Sequence, residues 1–463
     1  MLFNLNILVF LVNFLTTFLG TRIFKYSLIK IKSGISSPFY IFSLLISILY
    51  FIPCVLIQPF LDLQIYLETI EKDSNFIYYG VLANLSSETF LIYASLNLIF
   101  ATIILVLLPL FKEKFLNFNK LLELKVINKY KKYDSINRQK MFNSISTTLI
   151  IPYALIFLFS LSILSIISQY SFSDLWQLRR YIRVFLTLSQ GEDNIYFLLI
   201  RFLQSLAPVI ISIAYFTGNI FQKSIVFILS LSLLFAFLKL PISFFLLFIS
   251  LLFLRKLIIV RKYSREKIFS VKIIPFFIIT LCGSLFAFIY SISSGGGLKF
   301  RFIFDSLARF TLTTHSSNLV KFYWWQYNDF QNYNMEGSRF SALYHGIEYD
   351  TSVSYMKEIT QTLFGEVFGD TASFVSLSFM RGNLGLFLFE LVMILLIPIA
   401  LDFLYRRLNY LFFRMYISVS ISYYVFLVIG IDTQTILTYY FYIYSLIFFS
   451  LFFLYQKFFK KEI

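Results

Sequence analysis

Little in this chain could build a metal centre or a disulfide framework. Its 463 residues include two cysteines and two histidines. Cys54 and Cys282 each lie inside an apolar run with no second cysteine or histidine nearby. His315 and His345 are 30 residues apart without a third soft ligand. Neither a disulfide nor a metal site is expected, and both cysteines read as packing residues. The sequence also lacks GxxxxGK[ST], HExxH, GxSxG and CxxC, which removes P-loop nucleotide chemistry, zincin-type proteolysis, nucleophile-elbow hydrolysis and thiol redox exchange. SGGG at 294–297 reads as the loop exit from an apolar run, not as a phosphate cradle. Charge is scarce too. Only 14% of the residues are charged, 59% are hydrophobic, and the mean hydropathy is +0.78. A soluble core could not hide that much apolar surface. No Pro/Gly/Ser-rich linker divides the chain, so it reads as a single transmembrane domain over 1–463.

What is present is a series of apolar runs of about 20 residues, the length that crosses a hydrocarbon core of about 30 Å as helix. They lie near 2–20, 38–60, 89–111, 147–169, 195–217, 221–238, 242–260, 273–292, 384–404, 410–430 and 435–456. The first has no positively charged n-region and no small-residue cleavage site, so it is kept as a span and not removed as a signal peptide. The sixth and seventh are separated only by Lys239, Leu240 and Pro241, which could be a tight turn or a kink in one long helix. Charge decides for the turn. With alternating spans and a cytoplasmic C-terminus, one set of connections holds 27 basic and six acidic residues, the other 12 basic and 17 acidic. Lysine and arginine retained on the cytoplasmic side account for that asymmetry. The expectation is an all-α polytopic membrane protein with about 11 transmembrane helices and one large external loop between helices 8 and 9. Its N-terminus is expected outside and its C-terminus inside. The net charge of +16 then meets anionic headgroups through basic loops such as KYKKYDSINRQK at 129–140, and nucleic acid is not expected as a partner.

Two outer segments break the apolar monotony: a short amphipathic one at 170–194 and a long one at 293–383. Long loops between spans tend to carry function. The long segment holds both histidines, four arginines, eight acids and the aromatic run FYWW at 322–325. Arg301, Asp305 and Arg309 are four apart and would line one helical face as plus, minus, plus. A phosphate could sit between such fork-shaped donors, or the three could satisfy one another as a surface network. In the short segment, Trp176, Arg179, Arg180 and Arg183 cluster at the membrane surface. Three arginines on the outer face run against the positive-inside bias, which points to an anionic headgroup or pyrophosphate; ordinary snorkelling is the alternative. Arg201 and Glu390 lie within spans, and an intramembrane charge is a functional candidate unless it is paired or near a helix end.

In topology the chain resembles the Wzy-type polymerases of bacterial O-antigen and capsular polysaccharide, within the multi-span glycosyltransferases that include O-antigen ligases. The resemblance is sharpest in three places: the outer arginine cluster followed by LIRFLQSLAPVIISIAY at 199–215, the large late loop, and GDTASFVSLSFMRGNLGLFLFELVMILLIPIALDFLYRRL at 369–408. It implies transfer of a growing glycan from undecaprenyl pyrophosphate onto the terminal sugar hydroxyl of another lipid-linked repeat unit. The transfer would occur at the periplasmic face of the bacterial inner membrane, without cofactor or metal. Arg179, Arg180 and Arg183, with Arg301, Arg309 and Arg339, would hold the pyrophosphate and offset the charge that develops on it. Glu336, His345 or His315 would take the proton from the acceptor hydroxyl. Trp324 and Trp325, with Tyr323, could stack on sugar faces or anchor at the interface. The implied partners are the undecaprenyl pyrophosphate-linked oligosaccharide, membrane lipids and, as an option, a chain-length regulator.

The strongest rival from another class is a lipid-linked oligosaccharide flippase, which also needs many spans and a basic lining. Flippases usually have short outer loops and a repeat between halves, and no internal repeat is visible here. An O-antigen ligase or a transferase using a lipid-monophosphate sugar is the neighbouring option. Asp62, Glu68, Glu71 and Asp73 in the first outer loop keep the latter open, unless they only solvate that loop. No early histidine pairs with arginines as an acyltransferase would require, and a purely structural membrane protein is the blandest reading.

Overall fold

A computed structural model describes residues 2–32, 37–71, 87–110, 311–327 and 373–407, together with isolated helical positions between 417 and 429. The chain falls into two compact units. One comprises Met1–Lys120, Phe304–Leu404 and Tyr424–Thr438 and contains nearly all of the described residues. The other comprises Leu121–Ile303, Tyr405–Tyr423 and Tyr439–Ile463. The described residues are helical throughout: α1 (Leu2–Lys32), α2 (Pro38–Ile46), α3 (Ile57–Glu71), α4 (Ser87–Leu110), α5 (Leu312–Tyr327) and α6 (Phe374–Arg407), with a π turn at Ser47–Phe51 and a 3-10 turn at Ile52–Leu56 linking α2 to α3. Four stretches are long and apolar enough to cross a membrane: Leu5–Ile31, Pro38–Leu63, Ser87–Pro109 and Asn383–Tyr405. They coincide with the expected spans at 2–20, 38–60, 89–111 and 384–404. Of the expected span at 410–430 only isolated helical positions are described, and the other expected spans, with the short segment at 170–194, lie outside the described residues.

The first helix does not stop at Gly20. It continues through Arg22, Lys25 and Lys30 to Lys32, so the basic residues expected in a loop ride on the helix itself. Gly20 serves packing instead. A Cβ there would come within 2.7 Å of the Phe51 Cβ, so the missing side chain lets α1 approach the linked turns closely. Helix formation resumes at Pro38, which fits the first turn because its absent N–H has no intrahelical partner there. Ser37 before it is extended, and its hydroxyl donates to the Asp402 carboxylate near the end of α6.

The α-helical pattern of the second span is broken at its centre, around Pro53, by the π and 3-10 turns. The Tyr50, Phe51 and Ile52 carbonyls there are met by side chains of other helices. The Thr17 hydroxyl lies 3.3 and 3.2 Å from the Phe51 and Ile52 carbonyls and accepts from the Val55 N–H at 3.1 Å. Such substitution is what a bilayer demands, because no water is present to satisfy a freed backbone group. Aromatic rings pack the break from behind. Phe51 meets Phe100 edge-on at 5.0 Å, and Phe100 meets Phe374 edge-on at 5.3 Å.

The sixth helix is not a straight rod. Ser378 donates to the Glu390 carboxylate, and the Phe374 and Phe387 rings stack at 6.0 Å. Twelve helical residues would hold Ser378 and Glu390 roughly 18 Å apart. The reversal occurs at Asn383, whose φ of 56° lies in the left-handed region that asparagine tolerates better than most residues. The leg from Phe374 to this turn, expected to close the outer loop, is therefore folded back against the span that follows it.

Candidate functional site

At the broken span three elements bring polar side chains together. α5, from the first half of the long segment 293–383, carries the run Thr314, His315, Ser316, Ser317 and Asn318, each at most 2% exposed. Five successive residues occupy every face of a helix, so α5 is enclosed at this point on all sides. The span supplies Tyr50, α4 supplies Tyr93, and the back-folded leg of α6 supplies Ser373 and Ser376, all buried.

The hydrogen bonds define donor and acceptor at each step. His315 Nε2 is 3.0 Å from the Tyr50 carbonyl oxygen, which can only accept, so Nε2 carries the proton. Nδ1 of the neutral ring then accepts from the Tyr93 hydroxyl at 2.8 Å. The Tyr93 oxygen lies 3.2 Å from the Tyr50 hydroxyl and 3.3 Å from the Asn318 Nδ2 donor. With Tyr50 donating to Tyr93, the circuit closes on itself: Tyr50 hydroxyl to Tyr93, Tyr93 to His315, His315 to the Tyr50 carbonyl. Asn318 reads Ser373 in both directions. Its Nδ2 donates to the Ser373 hydroxyl at 2.9 Å, and its Oδ1 accepts from the Ser373 N–H at 2.9 Å and the Ser376 hydroxyl at 3.0 Å. The His315 ring also packs on Tyr50 with centroids 4.4 Å apart. Burial lowers the His315 pKa to about 4, against the opposing pull of the Tyr50 carbonyl. The imidazole is therefore neutral at pH 7 and fixed as one tautomer.

Chemically, this knot is an anchor with no net charge. It ties the first third and the end of the long polar segment to the second and third spans. It also gives the Tyr50 carbonyl in the π turn a side-chain donor. Of the expected catalytic residues, His315 is placed here, with both ring nitrogens engaged inside the protein. Trp324 and Trp325 lie on the last turn of α5. Glu336, His345, Arg179, Arg180, Arg183, Arg301, Arg309 and Arg339 lie outside the described residues, as does Arg201. Glu390 is fully buried, and its carboxylate accepts from the Ser378 hydroxyl. Asp62 lies on α3 and accepts from Gln58 at 3.1 Å on an exposed face, as a solvating residue would.

Sequence reasoning passed over Tyr50, Tyr93, Asn318, Ser373 and Ser376. Two signals pointed to them. A proline inside an apolar run, IPC at 52–54, requires outside partners for the backbone it disrupts. A block of five polar residues, THSSN at 314–318, is unlike the aromatic and charged residues around it. No family model, curated protein or solved structure matches the chain.

Proposed function

We propose that the protein is a membrane glycosyltransferase that polymerises lipid-linked oligosaccharide repeat units at the outer face of the bacterial inner membrane. The glycan moves from its pyrophosphate carrier to an acceptor sugar hydroxyl. The observation that carries this reading is the docking of α5 against the spans. The long polar segment has its first third pinned at His315 and Asn318 and its end at Ser373. A catalytic surface on that segment needs such a fixed base if arginines are to meet a lipid-borne pyrophosphate at the membrane face. Charge asymmetry between alternate connections, and the outer arginines at 179, 180 and 183, give the same direction.

In this reading His315 is a positioning residue, because its lone pair is occupied by Tyr93 and the ring is enclosed. Proton removal from the acceptor hydroxyl falls to Glu336 or His345, and Arg301, Arg309 and Arg339 join the outer cluster in stabilising the leaving pyrophosphate. The broken second span favours one rival, since transporters build sites at interrupted helices. A single genetic experiment separates the two. The gene is deleted in its host, and surface polysaccharide is resolved on a gel beside a strain carrying Arg183→Ala at equal expression. A polymerase leaves single repeat units on the lipid anchor while longer chains vanish, in both strains. Loss of single units as well, with lipid-linked repeats accumulating inside, would instead identify a flippase.

A further inference from the structure

Along α1, a cavity of about 380 Å³ is lined by Phe14, Thr17, Phe18, Thr21, Arg22 and Lys25. Its two ends differ in chemistry. Phe10, Phe14 and Phe18 succeed one another at four-residue spacing, so they form one rail along the helix; each is about half exposed, and Phe10 stacks on Phe14 at 6.4 Å. Arg22 is the next member of that row. Its guanidinium lies 5.1 Å above the Phe18 ring, folded back toward the apolar end of the cavity. Lys25 adds a second cation to the same end, in the neighbouring row with Thr17 and Thr21. The threonine hydroxyls are turned inward, Thr21 to the Thr17 carbonyl at 2.9 Å and Thr17 to the broken span. The donors left for a ligand are therefore the two cations.

From this arrangement we infer that α1 carries a binding site for one anionic phospholipid of the surrounding bilayer. The lipid phosphate lies between Arg22 and Lys25, and one acyl chain runs along Phe18, Phe14 and Phe10. Charge complementarity selects the headgroup. The rail, roughly 18 Å of helix rise from Phe10 to Arg22, selects a lipid over a free anion. By the charge asymmetry of the loops this end of α1 belongs to the cytoplasmic leaflet, the opposite side from the proposed glycosyl transfer. The volume lies within the roughly 300–1,000 Å³ usual for small-molecule sites. The site also adjoins the break, because Thr17 and Thr21 line it while Thr17 serves the carbonyls of Phe51 and Ile52.

The test is native mass spectrometry of the full chain in detergent, titrated with phosphatidylglycerol and, separately, with phosphatidylcholine. One phosphatidylglycerol is expected to be retained in preference to phosphatidylcholine. In Arg22→Gln/Lys25→Gln its affinity should fall roughly 30-fold, about fivefold for each basic residue removed. Lys30→Gln, whose ammonium lies over the Tyr26 ring instead, should leave binding unchanged. Equal retention of both lipids, an unchanged affinity in the double variant, or displacement of the lipid by inorganic phosphate alone would overturn the inference. The first two results would reduce Arg22 and Lys25 to ordinary snorkelling side chains.

Discussion

Two prolines inside described apolar spans, Pro53 and Pro398, are handled differently. At Pro398, inside α6, the helix continues. The carbonyl four residues earlier, Ile394, receives a hydrogen bond from the Tyr424 hydroxyl at 2.8 Å. One freed acceptor meets one donor, and the rod survives. At Pro53 the helix changes first to a π turn and then to a 3-10 turn, and three successive carbonyls accept from side chains. Thr17 serves Phe51 and Ile52; His315 serves Tyr50, helped by the Cys54 thiol at 3.3 Å. The difference teaches that proline alone does not set the outcome. The donors available from neighbouring helices decide whether a membrane helix merely loses one bond or opens into a polar junction. At Pro53 the junction also recruits the long polar segment, and a function becomes possible there that the Pro398 site does not offer.

Removing the donor at the junction should have the largest effect. His315→Ala takes a donor from the Tyr50 carbonyl and an acceptor from the Tyr93 hydroxyl, both buried. It should cost about 2–4 kcal/mol of stability, read as a fall in the thermal unfolding midpoint in detergent. The same residue gives the junction a pH signature. In the folded protein the His315 pKa is lowered to about 4, whereas in the unfolded chain it is about 6.5. The unfolded state therefore binds the proton first. The contribution of His315 to stability is complete above pH of about 6.5 and is lost as pH falls toward about 4. His315→Gln should flatten that dependence. A variant that keeps the wild-type slope would assign the titration to another group and weaken the contrast with the proton-independent repair at Pro398.

A smaller effect is expected where α1 meets the break. In Gly20→Ala the added methyl group meets the Phe51 Cβ, which is fixed to the backbone and cannot swing aside. Helix α1 must move away, lengthening the bonds from Thr17, at a cost of about 1–3 kcal/mol. Hydrogen exchange should then rise at Val55, whose N–H donates to Thr17. Unchanged exchange there would mean that the junction does not depend on the approach of α1.

Much of this architecture was legible in the sequence, for physical reasons that also explain where reading stopped. Hydropathy located the four described spans because burying apolar length in a bilayer is a property that can be counted residue by residue. The second span was expected from 38, and its helix starts at Pro38. Gly20 was misleading: glycine punctuates soluble helices, but here its missing Cβ serves close packing inside a continuous helix. The polar run at 314–318 was assigned to an outer loop because polarity alone does not distinguish groups satisfied by water from groups satisfied by one another. Long-range pairings, His315 with Tyr50 and Tyr93 and Asn318 with Ser373, accompany the burial of that segment. His315 was identified as chemically special from residue type, and its partners Tyr50 and Tyr93 were hidden among 32 tyrosines. The reversal at Asn383 needs a single residue with positive φ, a signal too local to stand out in RGN.

The smallest expected effect lies at the intact helix, and it is the sharpest test of the comparison. Tyr424→Phe removes the donor to the Ile394 carbonyl while keeping the ring that packs against Phe42 at 6.0 Å. Hydrogen bonds between membrane helices are typically worth about 0.6 kcal/mol and at most about 1.7. A loss in that range, with no change in the pH dependence of unfolding, would mean that Pro398 disturbs a single backbone group. A loss as large as that of His315→Ala would show that both prolines sit at junctions of equal weight, and the straight course of α6 past Pro398 would then depend on Tyr424 as much as the broken span depends on His315.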